Sequence, residues 1–160
     1  MMKTIGIADT MFARADMAGI AIKAMEKEIK KQGYSVKFQH YTVPGIKDLP
    51  VACIKLFREK GCDLVLAFGF VGDAAIDETC AHEASLSLIN VEILTGNHIL
   101  KVFVHSSEAE NDARLAEILK DRCEKHGLNA LAILFKPESL TEKAGTGQRQ
   151  GSENAPGLKV

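Results

Sequence analysis

The chain has 160 residues, 46% of them hydrophobic, with 20 basic and 21 acidic side chains and a formal net charge of −1. That length supports one domain with a substantial core. Balanced charge gives no basic surplus for nucleic acid, and no segment reads as a secretory signal or a membrane span, so a cytoplasmic protein with no membrane or nucleic-acid partner is expected.

Taken in order, strands and helices alternate. Thr4 to Ala8 is a short apolar strand. Asp16 to Lys31 is a helix, capped by Asp16 and stopped at Gly33. Tyr34 to His40 alternates Val36 and Phe38 with polar residues, the pattern of an edge strand, and Tyr41 to Val43 remains extended. Pro44 fixes its own φ and keeps Val43 out of the helical region, and Pro50 falls where a helix tolerates a missing N–H. Leu49 to Lys60 is that helix. Leu64 to Phe68 is a continuous apolar run, as in a central parallel strand, and Gly69 to Asp73 reads as the loop after it.

Asp77 to Thr95 is a long helix ending at Gly96. Its apolar residues, including Ala81, Ala84, Leu86, Leu88, Ile89, Val91, Ile93 and Leu94, point in nearly every direction. A helix apolar all round is covered all round, and in a domain this small the second cover is expected to be another subunit, with the C-terminal segment as the alternative cover. Ile99 to Val104 is a further apolar strand. Ser106 or Ser107 caps a helix reaching His126 with Gly127 as its stop, and Leu128 to Phe135 reads as a fifth strand, with a buried helical turn as the alternative. The pattern predicts one α/β domain over residues 1–150, a three-layer α/β/α sandwich on a four- or five-stranded parallel sheet, and a flexible tail over 151–160. Cys53, Cys62, Cys80 and Cys123 form no C-x-x-C pair and read as reduced thiols.

In a parallel sheet the ligand crevice lies at the carboxyl ends of the strands. Four segments meet there: Asp9 to Arg14, Pro44 to Asp48, Gly69 to Asp73, and His105-Ser106. They offer an aromatic ring, a hydroxyl, backbone amides, a carboxylate and a histidine, a set suited to a flat heterocycle with a polar tail. Taken singly, Phe12 has the simpler reading of a helix-start cover, Lys47 and Asp48 of solvated first-turn residues, and His105 of a strand end. Glu78 and His82, spaced i and i+4, share a helix face with Glu83 adjacent, a grouping suited to acid–base work, to part of a metal site, or to a charged stripe on an interface helix. His40, His98 and His126 have no ligand spacing and read as ordinary polar residues. There is no P-loop, no G-x-G-x-x-G and no G-x-S-x-G elbow.

Val43-Pro44-Gly45-Ile46-Lys47-Asp48-Leu49-Pro50 resembles the V-P-G-x-x-E-L-P motif of lumazine synthases. Ala67-Phe68-Gly69 is similar to that family's A-x-G, and Ala81-His82-Glu83 falls where it has A-N-E. The segments Asp9 to Ala18, Cys80 to Leu86, Val102 to His105, Phe135 to Glu138, Ala144-Gly145 and Arg149-Gln150-Gly151 resemble the archaeal-type riboflavin synthases, paralogues of lumazine synthase, more closely still. Ile76 stands where lumazine synthases have a histidine, Asp48 where they have a glutamate, and their C-terminal phosphate-holding basic residues have no counterpart.

This resemblance implies the lumazine-synthase/flavodoxin-like fold, a homopentamer, and dismutation of two molecules of 6,7-dimethyl-8-ribityllumazine to riboflavin and 5-amino-6-ribitylamino-uracil. It implies that Thr10, Phe12, Ile46, Lys47, Asp48, Phe70 and Val71 hold the substrate. His82 and His105 are the proton-transfer candidates, with Glu78 or Glu83 orienting them. No organic cofactor and no protein metal site are expected; assistance by a divalent cation such as Mg²⁺ is left open. Lumazine synthase itself is the nearest alternative, and a non-catalytic lumazine or flavin carrier the next.

Overall fold

A computed structural model describes residues 1–158. Four parallel strands form one sheet: β1 (Lys3–Thr10), β2 (Val36–Val43), β3 (Leu64–Val71) and β4 (Ile99–His105), in the order β2-β1-β3-β4. The helices are α1 (Met17–Gln32), α2 (Leu49–Arg58), α3 (Ala75–Thr95), α4 (Asp112–Phe135) and a short α5 (Glu138–Thr141). Two single-turn 3₁₀ segments, Ile46–Asp48 and Ser106–Glu108, lead out of β2 and β4.

The chain steps from β1 outward to β2, then reverses across β1 to β3 and continues to β4. Right-handed crossovers force the helices to change faces when the direction reverses. α1 and α4 accordingly pack on one face around Ile5, Ile7, Leu66 and Phe68, and α2 and α3 on the other around Ala8, Val65 and Ala67. Successive side chains of β1 and β3 enter opposite cores, as the two-residue period of a strand requires. β3 is buried throughout, whereas β2 alternates exposed and half-buried positions at the sheet edge.

Local signals behave as the sequence predicts at α1. The Asp16 carboxylate accepts the Gly19 N–H at 2.8 Å, and Gly33 ends the helix at φ 70°, a left-handed conformation that glycine adopts without strain.

Three expectations are corrected. Gly69, Phe70 and Val71 extend β3 instead of forming a loop, because β4 pairs with them up to Val71 opposite His105. The cap of α4 is Asn111, whose side chain accepts the Arg114 N–H, and neither Ser106 nor Ser107. Gly127 does not end that helix, and 128–135 is not a fifth strand: α4 runs on to Phe135. Gly127 is there for packing, since a Cβ would stand 3.0 Å from the Ala21 carbonyl oxygen and 3.1 Å from Met25 Cγ on α1. Two helices cross closely at that point, and the apolar run after it is the buried face of a helix.

All four cysteines are free. Burial pushes the Cys53 and Cys123 thiols up to about 12 and that of Cys62 to about 11. No helix among the described residues is long and apolar enough to cross a membrane. Beyond α5 the chain returns to α4, where the Gly151 N–H donates to Asp121 at 2.7 Å. The tail expected to be flexible ends in residues 159 and 160, which lie outside the described residues.

His126 on α4 has its Nδ1 buried without a hydrogen-bond partner among the described residues. Burial, and secondarily the Arg122 charge, hold its pKa below the ordinary histidine value. The unfolded chain therefore takes up a proton that the folded chain refuses, and stability falls as pH drops below that ordinary value. Between pH 7.5 and 5, urea midpoints of the protein are expected to fall further than those of His126→Gln; parallel curves would refute a buried neutral imidazole.

Candidate active site

The reversal of winding between β1 and β3 leaves a crevice at their carboxyl ends, since the chain leaves them in different directions. A cavity of about 260 Å³ opens there on the α2–α3 side. Phe12, Ile46, Lys47, Asp48, Phe70 and Val71 all line it, joined by Gly45, Gly72, Asp77 and Cys80. Thr10 is buried beneath the rim, and its hydroxyl donates to the Phe12 carbonyl at 2.9 Å. It shapes the loop that carries Phe12. The Phe12 ring is 60% exposed and meets Phe70 edge to face, with centroids 6.5 Å apart. An exposed aromatic over an apolar floor is a stacking surface for a flat ring. Arg14 stands over the Phe70 ring, 5.9 Å from its centroid, and is tied to Asp112 at 2.6 Å.

The turn after β2 folds on itself. Asp48 N–H donates to the Gly45 carbonyl at 3.1 Å, and Asp48 Oδ2 accepts the Gly45 N–H at 3.2 Å. One carboxylate oxygen thus fixes the turn, and Oδ1 is unengaged among the described residues. Beside it Lys47 pairs with Glu83 of α3 at 2.7 Å. The hydrogen bond and the charge of each raise the Lys47 pKa and lower that of Glu83. Both are solvated, so the pair sets geometry more than stability.

The end of β4 supplies a second group. His105 Nδ1 lies 2.8 Å from Glu78 Oε2, and the Ser107 hydroxyl donates to Glu78 Oε1 at 3.2 Å. The His105 N–H donates to Glu108 Oε1 at 2.9 Å. Both ring and backbone of His105 are held by carboxylates, directly opposite the cavity-lining Val71 in the sheet register. A carboxylate-oriented imidazole whose Nε2 is unengaged among the described residues is an arrangement for proton transfer. His82 is exposed one turn beyond Glu78 and takes no part in these hydrogen bonds; neither it nor His105 lines the cavity itself.

Some groups were not legible in the sequence. Asp77 and Cys80 reach the cavity because α3 starts at Ala75, just after the strand end. On the α1–α4 side, Asp9 accepts from the Thr42 hydroxyl at 2.6 Å and pairs with His40 Nε2 at 2.8 Å. The signal for that cluster is the β1–β2 register, Ile7 opposite His40 and Asp9 opposite Thr42, which no spacing along the chain reveals. Among the described residues no three His, Cys, Asp or Glu side chains converge as a metal site. A larger recess, about 840 Å³, separates α1 from α4, but it is lined mainly by helix flanks away from the strand ends. The smaller cavity, where the segments following β1, β2 and β3 meet the start of α3, is the better candidate.

Residues 3–137 match the family described as 6,7-dimethyl-8-ribityllumazine synthase. The chain belongs to the 6,7-dimethyl-8-ribityllumazine synthase family. Within this family it is 47% identical over 151 residues to a riboflavin synthase of Methanothermobacter thermautotrophicus, covering 94% of this chain and 96% of the relative. Similarity to the riboflavin synthase of Methanothermobacter marburgensis is 48% over 147 residues, 92% and 94% of the two chains. That of Aeropyrum pernix is 42% identical over 160 residues, covering 99% and 100%.

The cavity of this lumazine synthase-family chain depends on Gly69, where a Cβ would stand 2.8 Å from Phe103 and 3.1 Å from Ile46. Gly69→Ala is expected to lower unfolding free energy by about 1–3 kcal/mol. Urea denaturation measures this, and an unchanged midpoint would show that Phe103 and Ile46 yield freely.

Proposed function

We propose that the protein is a riboflavin synthase that dismutates 6,7-dimethyl-8-ribityllumazine. The observation that carries this reading is its similarity, over nearly the whole chain, to relatives bearing that name. Two substrate molecules react: a four-carbon unit leaves one and joins the other, giving riboflavin and 5-amino-6-ribitylamino-uracil. Donor and acceptor are the same compound, so no external oxidant and no organic cofactor enter the balance. Assays with EDTA and with added Mg²⁺ measure any contribution of a divalent cation.

The geometry suits one ring system per cavity. At about 260 Å³ the space lies just below the usual range of small-molecule sites, about 300–1,000 Å³. Phe12, resting edge-on against Phe70, would offer its exposed ring to one face of the pteridine, and the free oxygen of Asp48 would accept ribityl hydroxyls. The second ring then stacks from the open side, and holding two rings in reacting geometry supplies about 7–11 kcal/mol. His105, oriented by Glu78, moves the proton of the ring methyl and returns one on elimination, adding roughly 10²–10⁴-fold. At the head of α3, where lumazine synthases carry a histidine, stands the 65% exposed Ile76, which transfers no proton.

The open side points to a partner. α3 buries Ala81, Ala84, Leu88 and Val91 against the domain but exposes Ile76, Leu86, Ile89, Ile93 and Leu94. We read this face as the seam of a cytoplasmic homopentamer that completes the site. Ile93→Asp with Leu94→Asp is expected to give monomers with turnover reduced at least tenfold; light scattering showing an active monomer would refute the seam.

The decisive assay supplies 6,7-dimethyl-8-ribityllumazine alone. Riboflavin and the uracil product are expected in equal amounts, and no riboflavin would overturn the reading. Tight lumazine binding without turnover would identify a carrier. Replacing His82 and His105 together with Gln is expected to lower turnover at least about tenfold, with the His105 single variant carrying most of the loss. Unchanged turnover would leave positioning alone as the source of catalysis.

A further inference from the structure

We propose that the C-terminal segment around Gly151 is a strap that positions His105, acting through Arg122 and Glu108. This rests on the reading of His105 as the proton-transfer group. Arg122 projects from α4 and is only 13% exposed in its side chain. Its Nη1 donates to Glu108 Oε1 at 2.6 Å and to the Phe103 carbonyl at 2.8 Å, and its Nη2 donates to Glu108 Oε2 at 2.5 Å. A planar guanidinium thus clamps both the last turn of β4 and the carboxylate that follows it. The same Glu108 Oε1 accepts the His105 N–H. The clamp and the backbone of His105 therefore share one oxygen.

The strap closes over this clamp. Gly151 is buried, with φ 77°. A Cβ on it would stand 2.6 Å from both Nε and Nη2 of Arg122, so only glycine lets the backbone lie on the guanidinium. The segment is anchored beside that contact. Gly151 N–H donates to Asp121, Lys125 Nζ donates to the Arg149 carbonyl at 3.2 Å, and Ala155 N–H closes the loop onto the Gly147 carbonyl at 2.9 Å. Backbone laid over an ion pair keeps water from it and strengthens its hydrogen bonds. Lifting the strap hydrates Arg122, loosens Glu108 and frees the backbone of His105. The ring then relies on Glu78 alone, whose side chain is 44% exposed.

The test uses the full chain carrying Gly151→Val, alone and with His105→Gln, checked for folding by urea denaturation. Turnover of Gly151→Val is expected to fall three- to tenfold with KM within twofold. No further fall is expected when it is added to His105→Gln. An equal fall in both backgrounds, or no fall, overturns the strap. If His105→Gln by itself leaves turnover intact, the proton-transfer reading fails separately. The strap is then judged by NMR titration of the His105 imidazole. A midpoint moved by Gly151→Val supports positioning, and an unmoved one overturns it. Should Gly151→Val not fold, Asp121→Ala removes the acceptor of the Gly151 N–H and is read in the same way.

Discussion

β3 is buried at every position from Leu64 to Val71 because strands flank it on both edges and helices cover both of its faces. A strand so enclosed admits no polar side chain, and its sequence is accordingly apolar from end to end. The reversal of winding beside it opens the crevice at its carboxyl end. Because the strand persists through Gly69, Phe70 and Val71, the floor of the cavity is rigid sheet and not loop.

Around that floor, charge is arranged in pairs of different character. Lys47–Glu83 lies in solvent and contributes little to stability, yet it fixes the mouth of the cavity between the turn after β2 and α3. Arg122–Glu108 is largely shielded, and its bidentate geometry satisfies both partners. Desolvation works to raise the Glu108 pKa, but the Arg122 bond and the His105 N–H together outweigh it and keep the carboxyl below its ordinary value. The two pairs thus divide the work: the solvated one can open for a ligand, and the shielded one holds the end of β4 still.

α3 joins these features. Its first two turns bring Asp77, Glu78 and Cys80 to the site, while its later turns carry apolar residues on two opposite sides. Only one side has a partner within the domain. The exposed side is continuous with the turns of the same helix that line the cavity.

The sequence by itself determined the alternation of strands and helices, the caps at Asp16 and Gly33, the edge character of β2 and the core character of β3. These are written in short-range periodicity and in single residues with restricted backbones. Most of the cavity lining was legible too, because the loops after parallel strands share one rim whatever the strand order. Only the tertiary structure decided that Gly127 is a helix crossing and not a stop, since its reason is the Ala21 carbonyl on another helix. The apolar run after it reads equally as a strand or as the inner face of a helix, and packing against α1 settles which. The pairings of His105 with Glu78, His40 with Asp9 and Arg122 with Glu108 span 27, 31 and 14 positions of the chain. Such contacts follow from register and from crossing geometry, for which the linear order of residues holds no local signal.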